Sequence, residues 1–163
     1  MKYVLGIDFG GGSSKATLLN GNGEVVAVSQ KEYETFSIGN EGREQNPKDW
    51  FDSAVYNVKN ILEISKIDKE DLSCICFDAA THTAVLMDED FNVVRNSVYW
   101  TDIRSTAQVD FLQKNYGEEI YRKFMHGVST IWTLPELLWI KETEPETFKK
   151  IKKICFPKDY IRH

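Results

Sequence analysis

An aspartate, three glycines, two serines and a lysine fall within one short stretch, Asp8-Phe9-Gly10-Gly11-Gly12-Ser13-Ser14-Lys15. A glycine turn with open N–H groups, two hydroxyls and an ammonium suits an anion, above all a phosphate. The carboxylate of Asp8, just ahead of the turn, suits a hydrated Mg²⁺ of the kind that accompanies nucleotide phosphates. A glycine-rich hairpin with a capping aspartate would account for the same residues, and short glycine motifs do not decide between the two. The stretch is neither a Walker A loop nor a Rossmann fingerprint. No Gly-Lys-Ser/Thr closes it, and the residues after it predict a strand, not a helix.

Two further places carry candidate chemistry. His82 stands in the small-residue loop Asp78-Ala79-Ala80-Thr81-His82-Thr83, at the carboxyl end of a predicted strand, where ligand sites tend to form. Taken alone, a single loop histidine is more often a local hydrogen-bonding residue than a catalytic one. Trp100, Asp102 and Arg104 follow at alternate positions. An aromatic face beside an acid and a guanidinium suits a polyhydroxy ligand, the ring covering C–H faces and the charged groups binding hydroxyls. The plainer roles are core packing for Trp100 and a helix cap for Asp102.

The elements that must position these residues are legible in outline. Val4, Leu5, Ile7 and Phe9 predict a strand covered on both faces. Ala16 to Leu19 predict a second, Asn20-Gly21-Asn22-Gly23 a hairpin turn, and Val25 to Val28 a third strand, so that an antiparallel meander carries Asp8 at the end of its first strand. Glu34 to Lys48 predicts an irregular, exposed loop. Asn46 can cap a helix with Pro47 at its first position and Asp49 in its first turn, running to about Ser65. Asp68 to Asp71 reads as a charged turn and Leu72 to Phe77 as a buried strand. Ala84 to Met87 and Phe91 to Val94 read as two further strands. Thr101 or Asp102 can cap a helix through Val109, Phe111 and Leu112. Gly117 reads as the start of a separate short helix. Leu134 to Lys141 and a segment from Glu144 give two more helices, with Trp132 and Trp139 as packing residues. Ile154 to Phe156 gives a last strand, and the cluster Lys149, Lys150, Lys152 and Lys153 reads as a solvated helix end.

Composition bounds the answer. The 163 residues are enough for one domain with a real core. A net charge of −5 gives no nucleic-acid footprint, and no apolar run is long enough to span a membrane. The N-terminus predicts a strand within a few residues, not a signal peptide. Cys74, Cys76 and Cys155 form an odd, unpatterned set that reads as buried free thiols in a reducing cytoplasm.

A family resemblance joins these pieces. Gly6-Ile7-Asp8-Phe9-Gly10-Gly11-Gly12-Ser13-Ser14-Lys15 resembles the first phosphate motif of the FGGY carbohydrate kinases, in which Gly-Thr-Thr usually stands at Gly10-Gly11-Gly12. Glu44 to Trp50 resembles their Glu-Gln-Asp-Pro-x-x-Trp signature, with Asn46 for Asp. Thr81 to Asp88 is similar to the Met-His-Gly-x-x-Leu-x-Asp segment of xylulose kinases, where the histidine binds the sugar; the Arg-Glu pair of glycerol kinases is absent. Trp100-Thr101-Asp102-Ile103-Arg104 resembles the family's Trp-x-Asp-x-Arg, and Pro157 to Arg162 its Pro-Lys-Asp-Tyr-Ile-Arg element.

The resemblance implies an α/β fold of the ribonuclease-H-like kind (the actin, Hsp70 and hexokinase superfamily), a mixed sheet with flanking helices. It covers the chain in order but only the front of a family member, so residues 1–163 are expected to be an incomplete N-terminal domain. By the same resemblance the activity is ATP-dependent phosphorylation of a sugar hydroxyl, with D-xylulose ahead of another ketose, gluconate or a polyol. Asp8 would hold Mg²⁺. Gly10, Gly11, Gly12, Ser13, Ser14 and Lys15 would face the ATP phosphates. Thr81, His82, Trp100, Asp102 and Arg104 would line the sugar pocket. The catalytic base is expected beyond residue 163, so the fragment alone is expected to be inactive. Expected partners are a small sugar and no nucleic acid or membrane, with self-association as a homodimer favoured by exposed core surface. A non-catalytic sugar sensor on the same fold and a small interaction scaffold stay open beside the kinase.

Overall fold

The computed structural model describes residues 2–163. In chain order the elements are β1 (Tyr3–Phe9), β2 (Ser13–Asn20), β3 (Val25–Glu32), β4 (Phe36–Ile38), β5 (Gly42–Gln45), α1 (Pro47–Ser65), a 3-10 turn (Lys69–Asp71), β6 (Leu72–Ala79), β7 (Val85–Met87), β8 (Ser97–Val98), α2 (Thr106–Phe124), α3 (Thr133–Thr143), α4 (Pro145–Lys150), β9 (Lys153–Cys155) and α5 (Pro157–Arg162). They divide into two units. One holds the chain up to Glu34, Asn46–Ala80 and Pro157–His163; the other holds Thr35–Gln45 and Thr81–Phe156. Among the described residues no helix is long and apolar enough to cross a membrane.

The first unit is built on a four-stranded sheet in the order β3-β2-β1-β6. The predicted meander forms: β1–β2 and β2–β3 are antiparallel, and β6 joins β1 in parallel. Asn20 shapes the first hairpin turn, its Oδ1 accepting the N–H groups of Asn22 at 2.9 Å and Glu24 at 3.0 Å. Side chains alternate across the sheet. Leu5, Ile7, Phe9, Ala16 and Leu18 are buried, whereas Val4, Gly6, Asp8 and Lys15 are exposed. β1 is therefore covered on one face, not on both as its apolar run suggested, because α1 packs on a single side of the sheet, against β2 and β3.

Helix α1 begins where the sequence places it. Asn46 is its cap, with Pro47 in the first turn and its side chain accepting the Lys48 N–H at 3.2 Å. Trp50, Ala54 and Ile61 form the buried face, and each large side chain so buried contributes about 1.5–3 kcal/mol. Asn57 lies fully buried among them. It donates to Ser14 Oγ at 2.7 Å and accepts from Ser29 Oγ at 2.7 Å, tying the helix to β2 and β3. The ends of β6 extend to Ala79, two residues into the predicted loop. Cys74, Ile75 and Cys76 are exposed, contrary to a buried strand and buried thiols there, because β6 is the outermost strand of this sheet. Cys155 is half-buried.

The second unit has a three-stranded sheet, β4-β5-β8, a β7–β9 pair and helices α2 to α4. Ala84, Leu86, Val98 and Ile140 form its core, with Val94, Leu137, Trp139, Phe148 and Ile151 packed around them. Four sequence expectations change here. The Glu34–Lys48 segment is not an irregular exposed loop but contains the β4–β5 hairpin, with Gly42, Glu44 and Gln45 buried. A Cβ on Gly42 would lie 2.6 Å from Ile38 O, so the hairpin closes around a glycine. Gly117 lies inside the continuous helix α2; a glycine costs an interior turn only about 1 kcal/mol and does not end it. Ser105 occupies the cap position of α2 without a side-chain bond, and neither Thr101 nor Asp102 caps it. Of the predicted strand Phe91–Val94, only a Met87–Val93 bridge forms.

The Asn57 anchor is testable. Asn57→Ala leaves two buried serine hydroxyls without this partner and should destabilise the chain by about 2–3 kcal/mol, read from urea unfolding at unchanged m-value. Asn60→Ala, which removes a half-buried bond to Ser29 Oγ (2.9 Å), should cost less than half as much.

Candidate active site

In the first unit the strand register assembles the charged residues. Asp8 faces Lys15 across β2 and stands beside Asp78 on β6. All three line one cavity of about 370 Å³ with Thr17 and Cys76, over Gly6. Asp78 Oδ1 accepts the Ala79 N–H at 3.0 Å. Sequence reasoning missed Asp78, because only the parallel β1–β6 pairing brings it to Asp8. The only available signal was that Asp78 directly follows a predicted strand, much as Asp8 lies at the end of one.

The glycine turn is held from outside. Gly10 N–H donates to Ser13 O at 2.9 Å, the Tyr33 hydroxyl donates to Gly10 O at 2.6 Å, and Tyr33 N–H donates to Gly12 O at 3.0 Å. A Cβ on Gly12 would meet no atom within 4 Å. Glycine at this position therefore leaves open space instead of relieving a clash within the fold. Ser13 Oγ accepts from Gln30 Nε2 at 3.1 Å. Ser14 is different: it is fully buried, its hydroxyl turned to Asn57 on the α1 side of the sheet. The structure thus gathers Asp8, Lys15 and Asp78 on one face and takes the Ser14 side chain to the other.

In the second unit Thr81 is exposed and His82 half-buried, and His82 holds a left-handed backbone at φ 60°. Left-handed residues other than glycine are uncommon and cluster at functional sites. His82 lines a mostly apolar cavity of about 520 Å³ with Phe124, His126, Ile131 and Trp132. Trp132 lies tilted at 5.4 Å from His126 and edge-on at 6.1 Å from Phe124, so its packing role is real but lies along a cavity wall.

Trp100 is 45 % exposed. Asp102, two residues on, is buried, and its oxygens accept the Arg43 N–H at 2.7 Å, the Arg104 N–H at 2.9 Å and Arg104 Nε–H at 2.9 Å. Arg104 also donates to Glu44 Oε1 at 2.7 Å, and Arg95 reaches the same oxygen at 2.5 Å and Glu144 Oε1 at 2.5 Å. Both guanidinium groups lie over Trp139, Arg104 at 4.3 Å and Arg95 at 5.5 Å from the ring centre. This buried chain of charges was not legible in sequence, since its members come from residues 44 to 144.

The N-terminal domain of the FGGY family of carbohydrate kinases matches residues 3–163. The chain belongs to that family. Among its relatives, the xylulose kinase of Bacillus subtilis (strain 168) is 37% identical over 162 residues, 99% of this chain and 32% of that relative. The gluconokinase of the same organism is 28% identical over 160 residues, 98% of this chain and 31% of that relative. The solved xylulose kinase of Rhodospirillum rubrum superposes with a TM-score of 0.91 at 27% identity, covering 99% of this chain and 33% of that one. The FGGY chain therefore has the actin/hexokinase-like fold of these sugar kinases and spans about a third of the length of the curated relatives it matches.

One acid of the second unit has an altered charge state. Glu136 is buried and its Oε1 has no hydrogen-bond partner. Burial, and then the charge of Asp102, push its carboxyl up to about 9, against the pull of Arg95 and Arg104. It is neutral at pH 7. Because the folded value lies above the ordinary 4.5, folding takes up a proton. The stabilisation is full below 4.5, the unfolded value, and is lost progressively as pH rises from there to about 9. Glu136→Gln should therefore unfold at higher temperature than wild type at pH 8 and lose the pH dependence between 5 and 9, read as Tm against pH. A parallel pH slope in both proteins would remove Glu136 as its source.

Proposed function

We propose that this chain supplies the phosphate-facing and sugar-facing walls of an ATP-dependent sugar kinase. What carries the proposal is the convergence of Asp8, Lys15 and Asp78 on one cavity beside a glycine turn with open space at Gly12, in a chain of the FGGY family. Phosphoryl transfer needs little covalent help from the protein; positioning and charge neutralisation dominate. Lys15 and the backbone at Gly12, which has open space beside it, would face the phosphate oxygens; the Gly10 N–H is already bonded to Ser13 O. The side chain of Ser14 would instead hold the turn to α1.

The donor set fits a hard divalent cation. Two adjacent carboxylates, Asp8 and Asp78, offer oxygen ligands. That suits Mg²⁺, which is held by one or two carboxylates, waters and substrate phosphates. Asp8, with Asp78 beside it, would hold it, and bound there the cation neutralises charge on the phosphoryl oxygens.

On the sugar side, Thr81 and His82 would bind hydroxyls and the exposed face of Trp100 would cover C–H groups, with Asp102 and Arg104 forming the wall behind them. In this reading the base that takes the proton of the attacking hydroxyl, and the adenine site, belong to sequence outside these 163 residues, and the chain is the front of the N-terminal domain. Use of ATP would put the enzyme in the cytoplasm. Phe124 and Met125, 64% and 74% exposed, support self-association of the isolated chain, as a homodimer. D-Xylulose is the first substrate proposed, and gluconate is the second, on the likeness to a gluconokinase.

The test is coupled ADP release by the protein that carries this chain with the remainder of a kinase, given Mg-ATP and D-xylulose, L-ribulose, gluconate, glycerol or L-fuculose. One strongly preferred sugar is expected. Sugar binding by calorimetry with no turnover would favour a sensor instead. In the same protein Asp8→Asn should depress kcat far more than sugar affinity; an equal loss in both would move Asp8 to the sugar side.

A further inference from the structure

The exposed indole of Trp100 rides on a turn that has little of its own to hold it. The Asp102 N–H donates to Tyr99 O at 2.7 Å and closes the turn around Trp100 and Thr101. The Tyr99 ring lies 5.9 Å from the Trp100 ring, and the longer-range bonds come from the β4–β5 hairpin. Tyr99 N–H donates to Arg43 O at 2.8 Å, Ile103 N–H donates to Glu41 O at 3.1 Å, and the Asp102 carboxylate accepts the Arg43 N–H at 2.7 Å. Asp102 thus acts as a bracket between the turn and the strand.

The bracket is in turn held by charge. Arg104 binds Asp102 and reaches Glu44 on β5 at 2.7 Å; Arg95 meets the same Glu44 oxygen at 2.5 Å and Glu144 at 2.5 Å. The side chains of Arg95, Arg104 and Glu44 are 9%, 15% and 12% exposed. Trp139 of α3 supports both guanidinium planes from one side. Two buried cations meet two buried anions, Asp102 and Glu44, with Glu144 at the more exposed end. Buried pairs of this kind add little net stability against apolar replacements, but losing one partner leaves an uncompensated charge. Their best-attested use is to fix one arrangement out of several.

We propose that Glu44 and Arg95 are positioning residues for sugar binding: through Arg104 and Asp102 they fix the Tyr99–Ile103 turn and so the orientation of the Trp100 ring. Neither residue touches the sugar. The inference rests on the reading of Trp100 as a sugar contact, and its structural half stands apart from that reading. It also gives Asp102 and Arg104 a task within the second unit that needs no direct bond from either to a ligand.

The experiment uses the protein that carries the chain with the remainder of a kinase, as wild type, Arg95→Gln, Glu44→Gln and Glu144→Gln. Two readouts are needed: steady-state kinetics for sugar and ATP, and the ¹⁵N–¹H indole resonance of Trp100, assigned by its loss in Trp100→Phe. Arg95→Gln and Glu44→Gln are expected to raise the sugar KM about tenfold with the ATP KM within about twofold of wild type, and to shift or broaden the Trp100 indole signal. Glu144→Gln, at the exposed end of the chain, should do the same more weakly and serves if the others do not fold. An unmoved indole signal in folded Arg95→Gln, Glu44→Gln and Glu144→Gln proteins would overturn the proposal whatever the substrate. A moved signal with sugar and ATP KM rising together would also overturn it, as a general structural defect. If wild type turns over none of the sugars, the kinase reading has failed, and the indole signal alone decides whether the bracket orients Trp100.

Discussion

Strand β1 is hydrogen-bonded on both edges, antiparallel to β2 and parallel to β6, and the arrangement of the first unit depends on that double pairing. It gives Asp8 a lysine on one side and a second carboxylate on the other. The period-two alternation then separates two kinds of work. One face carries Leu5, Ile7, Phe9 and the Ser14–Asn57–Ser29 bonds that receive α1. The other presents Asp8, Lys15 and Asp78 to a cavity. A register slip of one residue on β2 would exchange Ser14 and Lys15 between these faces, so the buried amide of Asn57 helps define the charged face as well as the fold.

The second unit solves a different problem. Its hairpin and its Tyr99–Ile103 turn are too short to bury much apolar surface, and they are joined through carboxylates and guanidinium groups instead. Such joints demand full pairing in a low-dielectric setting. Glu136 adds no further anion to this joint: burial first, and then the charge of Asp102, keep it protonated against the pull of Arg95 and Arg104. The aromatic floor of Trp139 adds a cation–π contribution beneath both arginines. The consequence for function is a rigid support under an exposed tryptophan.

Much of this was readable in the sequence where the governing physics is local. The Asn20–Gly23 turn, the Asn46 cap with Pro47, and the apolar spacing of α1 each depend on a few neighbouring residues, and each element formed at or near its expected position. The motif resemblances along the chain pointed to the family for the same reason. What was missed depends on contacts between distant segments. The β4–β5 hairpin looks polar and loop-like because Glu44 and Gln45 are buried by partners far along the chain. Asp102 looked like a cap because its partner across the hairpin, the Arg43 N–H, lies far back in the chain and is brought to it only by the fold. Ser14 looked like a phosphate ligand until the strand register fixed its face, and Asp78 was invisible until β6 paired with β1.

The most direct test of the account is to map where phosphate and metal bind on the isotope-labelled chain by ¹⁵N–¹H spectra during titration with Mg²⁺ and pyrophosphate. The account predicts shifts at Asp8, the Gly10–Lys15 amides and Asp78, none at Trp100 to Arg104, and their loss in Asp8→Asn. Shifts centred on Trp100 to Arg104, or an unchanged response in Asp8→Asn, would contradict it.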